Sequence, residues 1–192
     1  INYLLKQQRP SGHFGRHTSS YSHGISTYAL GEAYLLSKND SIREALRSGV
    51  EHILSRQDMD SRNKNRYGGW SYYFQDNDSR SGISSYPRVS ISAWQLMALK
   101  VAKLAKIDVP DSRMAAGKSF LLAAWSESRG CFLYTREQSR LNSRNPTLPA
   151  STPAATFVLQ LLGVDRNLPS IKGAIQMVHD RRPKAWEAGD SR

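Results

Sequence analysis

Three segments carry a single apolar stripe on an otherwise polar helix. In residues 41–57, 111–125 and 169–179 the apolar positions are spaced three and four residues apart, which is the period of an amphipathic helix. Residues 39–41 supply side-chain oxygens that can cap the first of these helices, and Pro169 suits the first turn of the third. We therefore predict three helices that each cover a core with one face.

Three other segments are apolar on nearly every side. They comprise residues 23–36, 89–106 and 153–164, and helices of this kind must be buried on nearly every side. The small residues that would let them pack closely are Ala29, Gly31, Ala33, Ala93, Ala98, Ala154 and Ala155. Because the two kinds of helix alternate along the chain, we predict an inner layer of buried helices wrapped by an outer layer.

One sequence motif recurs along the chain. It consists of an aromatic–aliphatic pair, a polar stretch, and then glycine, any one residue and an aromatic residue. Its copies are Tyr3-Leu4…Gln8…Gly12-His13-Phe14, His52-Ile53…Gln57…Gly68-Gly69-Trp70 and Phe120-Leu121…Trp125…Gly130-Cys131-Phe132. Gly49 and Gly117 also precede the second and third pairs by the same interval. A repeat of about 57 to 68 residues indicates one supersecondary unit stacked on copies of itself.

Alternating layers of this kind close naturally into an α/α ring. The sequence accounts for about three to four helical hairpins, so we predict an all-α fold of the α/α-toroid type in an incomplete ring. We expect residues 1–192 to form a single repeat domain, and because the chain begins with Ile1 we expect a piece of a longer product. Loops as long as 58–88 and 130–150 are usually functional or mobile.

The repeated motif resembles the QW motif of the prenyltransferase and squalene-cyclase repeat families. In that motif a basic residue, glycine or alanine, an aromatic and leucine precede glutamine and then Gly-x-Trp. Gln8 and Gln57 occupy the glutamine position, whereas Trp125 replaces it in the third copy. Phe14 and Phe132 stand where the motif has tryptophan.

The resemblance covers nearly the whole chain. Residues 21–25 and 94–100 also resemble segments of bacterial repeat proteins that have no assigned activity. The resemblance implies an α/α toroid of the terpenoid-cyclase and prenyltransferase type and a bacterial source, and it does not imply a particular reaction.

Composition and charge narrow the choice of partner. The chain has 192 residues and 39% hydrophobic content, enough for a globular domain with a sizeable core. Its net charge of +11 can attract nucleic acid or an anionic membrane surface, or can simply belong to a basic soluble surface. No nucleic-acid-binding module is recognisable, so we expect no specific nucleic acid partner. No stretch approaches the ~18 apolar residues of a membrane span, which predicts a soluble or membrane-peripheral protein of unknown compartment.

Catalytic carboxylates are missing where the resemblance would place them. Squalene cyclases protonate an alkene with the middle aspartate of an Asp-x-Asp-Asp cluster at the start of an inner helix, where crowding keeps one carboxyl protonated. The inner-helix starts at residues 20–23, 88–91 and 150–153 contain no carboxylate. Asp76 and Asp78 lie in a polar loop, and no helix start offers the carboxylate pair of a glycosidase. The catalytic residues therefore stay unassigned.

A metal or cofactor site is not predicted either. Cys131 is the one cysteine, and a zinc site needs three or four convergent ligands. The histidines that show no ligand spacing with it are His13, His17, His23, His52 and His179. Cys131 is better interpreted as a small, half-buried side chain.

Six residues of the inner helices are candidates for contact with a ligand: Tyr21, His23, Tyr28, Glu32, Trp94 and Phe157. His23 opens an inner helix and should point toward the mouth of the ring as a proton donor or polar anchor. The alternative is a structural histidine bonded to a neighbouring loop. Glu32, the one acid in its helix, would need an arginine or a tyrosine hydroxyl as partner if buried. The aromatic residues could line an apolar pocket or fill the core.

These observations favour a squalene-cyclase-like repeat protein without a recognisable catalytic centre in this segment. Such a protein would hold an apolar or isoprenoid ligand in its concave interior, or a protein partner that covers the open edge of the ring. The alternative is a terpene cyclase or prenyltransferase-type lipid enzyme whose catalytic acid lies outside the segment.

Overall fold

The computed structural model describes residues 1–14, 19–72, 86–136 and 150–181. Within them the chain is all-α apart from one short hairpin, as predicted. The helices are α1 (Asn2–Gln7), α2 (Ser20–Ser37), α3 (Asp40–Ser55), α4 (Val89–Leu104), α5 (Asp111–Leu122), α6 (Ser151–Leu161) and α7 (Pro169–Asp180). The hairpin pairs β1 (Trp125–Ser126) with β2 (Cys131–Phe132) around a 3₁₀ turn, Glu127–Arg129. None of the helices in these ranges combines the length and hydropathy that a bilayer crossing requires.

All six predicted helices are present, and their ends lie within a few residues of the predicted ones. The main difference is that α5 ends at Leu122, so Trp125 lies in β1 and is not part of a helical stripe. Trp125 pairs with Phe132 across the hairpin, and their rings make an edge-to-face contact with centroids 5.2 Å apart. This cross-strand aromatic contact holds Trp125 in extended backbone.

The predicted helix starts at α3 and α7 are also confirmed. The Oδ1 atom of Asn39 accepts hydrogen bonds from the amides of Ser41 at 2.9 Å and Ile42 at 3.3 Å, which satisfies two amides that the helix leaves without a partner. Pro169 occupies the first turn of α7, where its missing amide proton costs no helical bond.

The helices form two layers that follow the predicted alternation. Helices α2, α4 and α6 form the inner row, in which α4 packs between α2 and α6. Helices α3, α5 and α7 form the outer row: α3 packs against α2 and α4, α5 against α4 and α6, and α7 against α6. Each outer helix buries apolar residues against the inner row, and in α3 these include Ile42, Leu46 and Ile53.

The inner helices run in the same direction and begin at the same end. Near their starts, α2 and α4 are joined by a 2.6 Å hydrogen bond between the hydroxyls of Tyr21 and Ser90. Further along, Gly31 packs against Val101 so closely that a Cβ atom on the glycine would lie 2.4 Å from a valine methyl. The segment formed by β2 and the residues after it bonds to the starts of both α4 and α6.

The repeated sequence motif forms three joints, which follow α1, α3 and α5 and precede the inner helices α2, α4 and α6. The first joint comprises residues 8–14, the second residues 57–70 and the third residues 125–132. In the first two, the side-chain amide of a glutamine donates to one carbonyl of its own joint and one of the next outer helix. The four bonds are Gln8 Nε2 to Gly12 O (3.0 Å) and Ala45 O (2.7 Å), and Gln57 Nε2 to Gly68 O (3.0 Å) and Arg113 O (3.0 Å).

In each joint the backbone amide of the aromatic residue donates a hydrogen bond to a side chain near the start of the following inner helix. The three bonds are Phe14 N to His23 Nδ1 (3.3 Å), Trp70 N to Ser92 Oγ (3.0 Å) and Phe132 N to Thr152 Oγ1 (3.0 Å). The acceptor is a hydroxyl in the second and third joints and an imidazole in the first. The backbone arrangement therefore repeats, while the acceptor chemistry differs.

Two of the joints also need glycine for a steric reason. Gly12 and Gly68 adopt φ values of +80° and +88°, a region that side chains rarely enter. A Cβ atom would lie 2.2 Å from Ser48 O at Gly12 and 2.1 Å from Ala116 O at Gly68. Gly130 in the third joint has a φ of +60° but no atom within 4 Å of its Cβ position, so this joint is looser.

Candidate ligand-binding face

Each inner helix has one side that no other described helix covers. This side is exposed in α2 and α6 but only half-buried in α4, so burial on nearly every side holds for α4 and not for the other two. In α4 this side remains because α2 and α6 flank the helix and α3 and α5 pack behind it. The three uncovered sides lie together, since the outer row covers the opposite side of the inner row, and we call them the open face. Its residues are Ile25, Tyr28 and Glu32 of α2, Ser90, Trp94 and Met97 of α4, and Phe157 and Leu161 of α6.

The α2 part of the open face follows from helical spacing. Ile25, Tyr28 and Glu32 are three and four residues apart and therefore share one side of the helix. The pKa of the Tyr28 hydroxyl is raised, first by burial and second by the Glu32 carboxylate near it. Glu32 is exposed, so it does not need the arginine or tyrosine partner that a buried acid would require.

Aromatic and aliphatic side chains continue the open face across α4 and α6. The rings of Tyr28 and Trp94 meet edge to face, with centroids 6.4 Å apart and an angle of 73° between the planes. Met97 lies about one turn further along α4 and is half-buried. On α6, Phe157 is 54% exposed and Leu161 is 40% exposed. Large apolar side chains exposed on adjoining helices are typical of binding surfaces.

A cluster of hydroxyls lies where the inner helices begin, at one end of the open face. Tyr21 bonds Ser90 as described above, and the hydroxyl of Tyr134 donates to that of Tyr72 at 2.7 Å. The rings of Tyr21 and Tyr72 meet edge to face with centroids 5.7 Å apart. The buried guanidinium of Arg88 lies over the ring of Tyr134, 5.1 Å from its centroid. We call these five residues the tyrosine cluster.

Two hydroxyls of the tyrosine cluster, those of Tyr21 and Tyr134, are neutral. Burial is the largest cause that raises the pKa of Tyr21 and of Tyr134, and the bond to Tyr72 raises the pKa of Tyr134 further. The field of Arg88 acts in the opposite direction on both groups and does not prevail. The phenols therefore stay protonated over the physiological range and can both donate and accept hydrogen bonds.

No protein-family model matches this chain, and no curated protein matches its sequence. The chemistry of the site is therefore argued from its own residues. Glu32 is the one carboxylate among the open-face residues named above, and Asp76 and Asp78 lie outside the described residues. Within the described ranges, no three His, Cys, Asp or Glu side chains are placed to hold a metal ion. Burial raises the pKa of the Cys131 thiol, which disfavours the nucleophilic thiolate.

The structure brings together five of the six candidate residues. Four of them line the open face: Tyr28, Glu32, Trp94 and Phe157. Tyr21 belongs to the tyrosine cluster at the end of that face. Their contact with a ligand stays a prediction.

His23 is not part of the open face. Its ring is fully buried, with Nε2 bonded to Gly49 O at 3.0 Å and Nδ1 accepting from the amide of Phe14 at 3.3 Å. Five residues separate His23 from Tyr28, which places the two side chains about 140° apart around the helix. The expectation that His23 points toward the mouth of the ring is therefore wrong, and the alternative of a histidine bonded to a neighbouring loop is what the structure shows.

Sequence reasoning missed the loop members of the tyrosine cluster. Tyr72 and Tyr134 come from segments without helical periodicity, and the packing of two joints brings them together. A signal was nevertheless present, because each tyrosine follows the aromatic of its joint by two residues, in Trp70-Ser71-Tyr72 and Phe132-Leu133-Tyr134.

Proposed function

We propose that the open face binds an elongated apolar ligand without transforming it. We further propose that the two rows of helices are an arc of an α/α toroid with this face on its concave side. The observation that carries the proposal is the set of exposed apolar side chains on α2 and α6, Ile25, Phe157 and Leu161, with the half-buried side chains of α4 between them. The arc is supported by the parallel inner helices and by the repeated contacts of the joints, because identical contacts between successive units produce a regular curvature.

The energetics favour an apolar occupant. Ile25, Phe157 and Leu161 are 42%, 54% and 40% exposed, so each keeps a substantial area in water. Covering apolar surface stabilises a complex by roughly 25 cal/mol per Å², and fully burying one such side chain contributes about 1.5–3 kcal/mol. The edge-to-face pair of Tyr28 and Trp94 adds a rigid aromatic wall beside them.

Binding suits this face better than catalysis. Protonation of an alkene requires an acid held in its protonated form, commonly by a second carboxylate nearby. Glu32 is exposed, and it is the one carboxylate among the open-face residues, so no second carboxylate of this face lies beside it. An acid outside the described residues would favour the alternative of a lipid enzyme.

A neutral fluorescent probe tests the binding proposal without interference from the net charge. We expect N-phenyl-1-naphthylamine to bind saturably, with emission that rises on transfer to an apolar site. Leu161→Asp should weaken this binding about tenfold or more, because a carboxylate would be covered by the probe. Ile175→Asp is the matched control, since Ile175 is 41% exposed and lies on outer helix α7. Equal effects of the two substitutions would contradict the proposal.

A second measurement separates binding from turnover. The protein is incubated with squalene or with a polyprenyl diphosphate, and the extracted lipids are analysed by mass spectrometry. Recovery of the unchanged lipid, together with its displacement of the probe, supports a binding role. Formation of a cyclised or transferred product would replace the binding proposal with the enzyme alternative.

A further inference from the structure

Three imidazoles are buried together where the first joint meets α2 and α3. His13 comes from the joint, His23 from α2 and His52 from α3, and we call them the histidine trio. Their ring centroids are 5.3 Å apart for His13 and His23, 5.1 Å for His13 and His52, and 4.9 Å for His23 and His52. His23 is fully buried, His13 is 5% exposed and His52 is partly buried.

The hydrogen bonds of the trio fix a neutral state. The Nδ1 atom of His23 accepts from the amide of Phe14, so its proton must be on Nε2, which donates to Gly49 O. His52 is hydrogen-bonded to the backbone of Ser11 in the first joint. Two imidazoles therefore tie the joint to the helices on either side of it.

A proton added to Nδ1 of His23 would remove the bond that anchors Phe14. Two donors, the amide of Phe14 and the new N–H, would then face each other in a buried site, which leaves both unsatisfied. The other charged groups whose fields act on the trio are Arg9 of the first joint and Arg56 at the end of α3. Both are cations, so they oppose protonation and would repel the imidazolium once it forms.

We propose that the first joint is an acid-sensitive latch: protonation of the histidine trio releases residues 8–14 from α2 and α3 while the second joint stays closed. This inference concerns a different part of the molecule from the open face and does not depend on ligand binding. It rests on the close contact of three buried imidazoles and on the use of one of them as a hydrogen-bond acceptor.

The second joint lacks every titratable member of the latch. Position by position along the two joints and their outer helices, Gly69 corresponds to His13 and Phe120 to His52. The acceptor for the amide of Trp70 is the hydroxyl of Ser92, which does not titrate in the physiological range. Acid therefore leaves the anchor of the second joint intact.

The difference in histidine pKa between the closed and open states of the first joint sets how strongly acid favours opening. Burial is the largest cause that lowers the pKa of His23 to about 3 and that of His52 to about 4, and burial also lowers the pKa of His13. An imidazole exposed by opening titrates near 6.5, so each histidine favours the open state up to tenfold per pH unit below that value. Between pH 7 and pH 5, His23 and His52 each contribute about 25-fold, or roughly 500-fold together.

Hydrogen exchange of the whole chain at pH 7 and pH 5 measures the opening directly. After correction for the intrinsic exchange rate, we expect the protection of the Phe14 amide to fall by several hundredfold. The protection of the Trp70 amide should change by less than tenfold under the same conditions. Equal losses at both amides, or an unchanged Phe14 amide, would overturn the proposal.

Substitutions identify the titrating groups. His23→Asn keeps an acceptor oxygen near the position of Nδ1, and His52→Phe copies the residue of the second joint. Each should reduce the pH dependence at Phe14 by the share of one histidine, about 25-fold between pH 7 and pH 5. His179→Gln on the exposed side of α7 is the matched control and should retain the wild-type profile. A pH dependence at Phe14 as large as that of the wild type in both trio variants would refute the latch.

An NMR titration of the wild-type imidazoles keeps the test decisive if a variant fails to fold. The trio should take up protons only in step with the loss of Phe14 protection. Protonation of the trio while the Phe14 amide stays protected would show that the joint tolerates the charge, and the proposal would fail.

Discussion

The first and second joints share one backbone arrangement and differ in chemistry at three corresponding positions. Both have a glutamine that donates to two carbonyls and a glycine with positive φ packed against the next outer helix. The differing pairs are His13 and Gly69, His23 and Ser92, and His52 and Phe120. The geometry of a joint is therefore set by its glutamine and glycine, and its dependence on conditions is set by these three positions.

This division explains how one repeat can acquire a new property without a new fold. The hydroxyl of Ser92 and the imidazole of His23 accept the same kind of backbone bond, so either residue satisfies the amide. Only the imidazole changes its hydrogen-bonding capacity between pH 4 and pH 7. The three predictions that follow probe the shared geometry and the differing chemistry in turn.

The largest effect is expected from Gly68→Ala. The new Cβ would lie 2.1 Å from a backbone oxygen of α5 at a φ of +88°, and neither atom can move away without displacing a helix. We expect unfolding in urea to lose about 3 kcal/mol of free energy, from steric overlap together with the unfavourable backbone region.

Gly130→Ala is the matched control for that substitution. It has a φ of +60° but no neighbour within 4 Å of the added methyl, so about 1 kcal/mol from the backbone alone is expected. Similar losses of stability for the two variants would show that the close approach of Gly68 to α5 does not add to the destabilisation.

The next effect is the pH dependence of global stability. The folded-state pKa of His23 is lowered to about 3, below its value in the unfolded chain, so the folded state binds fewer protons between these values. Stability is therefore greatest above pH 6.5 and falls as pH decreases toward 3. From pH 6.5 to pH 5 this one group accounts for a loss of about 1.6 kcal/mol.

Urea unfolding of the wild type and of His23→Asn at these two pH values checks the pH prediction. The variant should show a loss that is smaller by about the contribution of one histidine. An identical pH slope in both proteins would assign the acid sensitivity to other groups.

The smallest expected effect is the loss of stability when either joint glutamine is replaced, and it should differ between Gln8 and Gln57. Gln57→Leu should cost about 1.5 kcal/mol, because the carbonyls of Gly68 and Arg113 lose a donor in a site where the side chain is 6% exposed. Gln8→Leu should cost about 0.5–1 kcal/mol, since its surroundings are partly open and water can replace the lost donor. Chemical denaturation resolves the two, and a larger loss for Gln8→Leu would reverse the assignment of the second joint as the tighter one.

Much of the fold followed from the sequence because periodicity reports burial directly. The stripe of α3 and the apolar composition of α4 place these helices in the outer and inner rows without further information. The same reasoning located Tyr28, Trp94 and Phe157 on the inner helices.

The features that the sequence did not predict depend on angular position and on contacts between loops. Residue type suggested a functional role for His23, yet its angle around α2 turns it toward α3. Trp125 fits a helical stripe by spacing, but its pairing with Phe132 takes it into a hairpin. Tyr72 and Tyr134 meet only because two joints pack side by side, which no local pattern encodes.

Since α2, α4 and α6 all start at one edge of the array, their peptide dipoles reinforce one another there. Each helix start carries roughly half a positive elementary charge, and three of them point at the region of the tyrosine cluster. The potential at that edge is thus positive before any side chain is considered, and the Arg88 guanidinium increases it. An amphiphile lying along the open face would consequently be oriented with its electronegative end toward this edge and its hydrocarbon toward the opposite one.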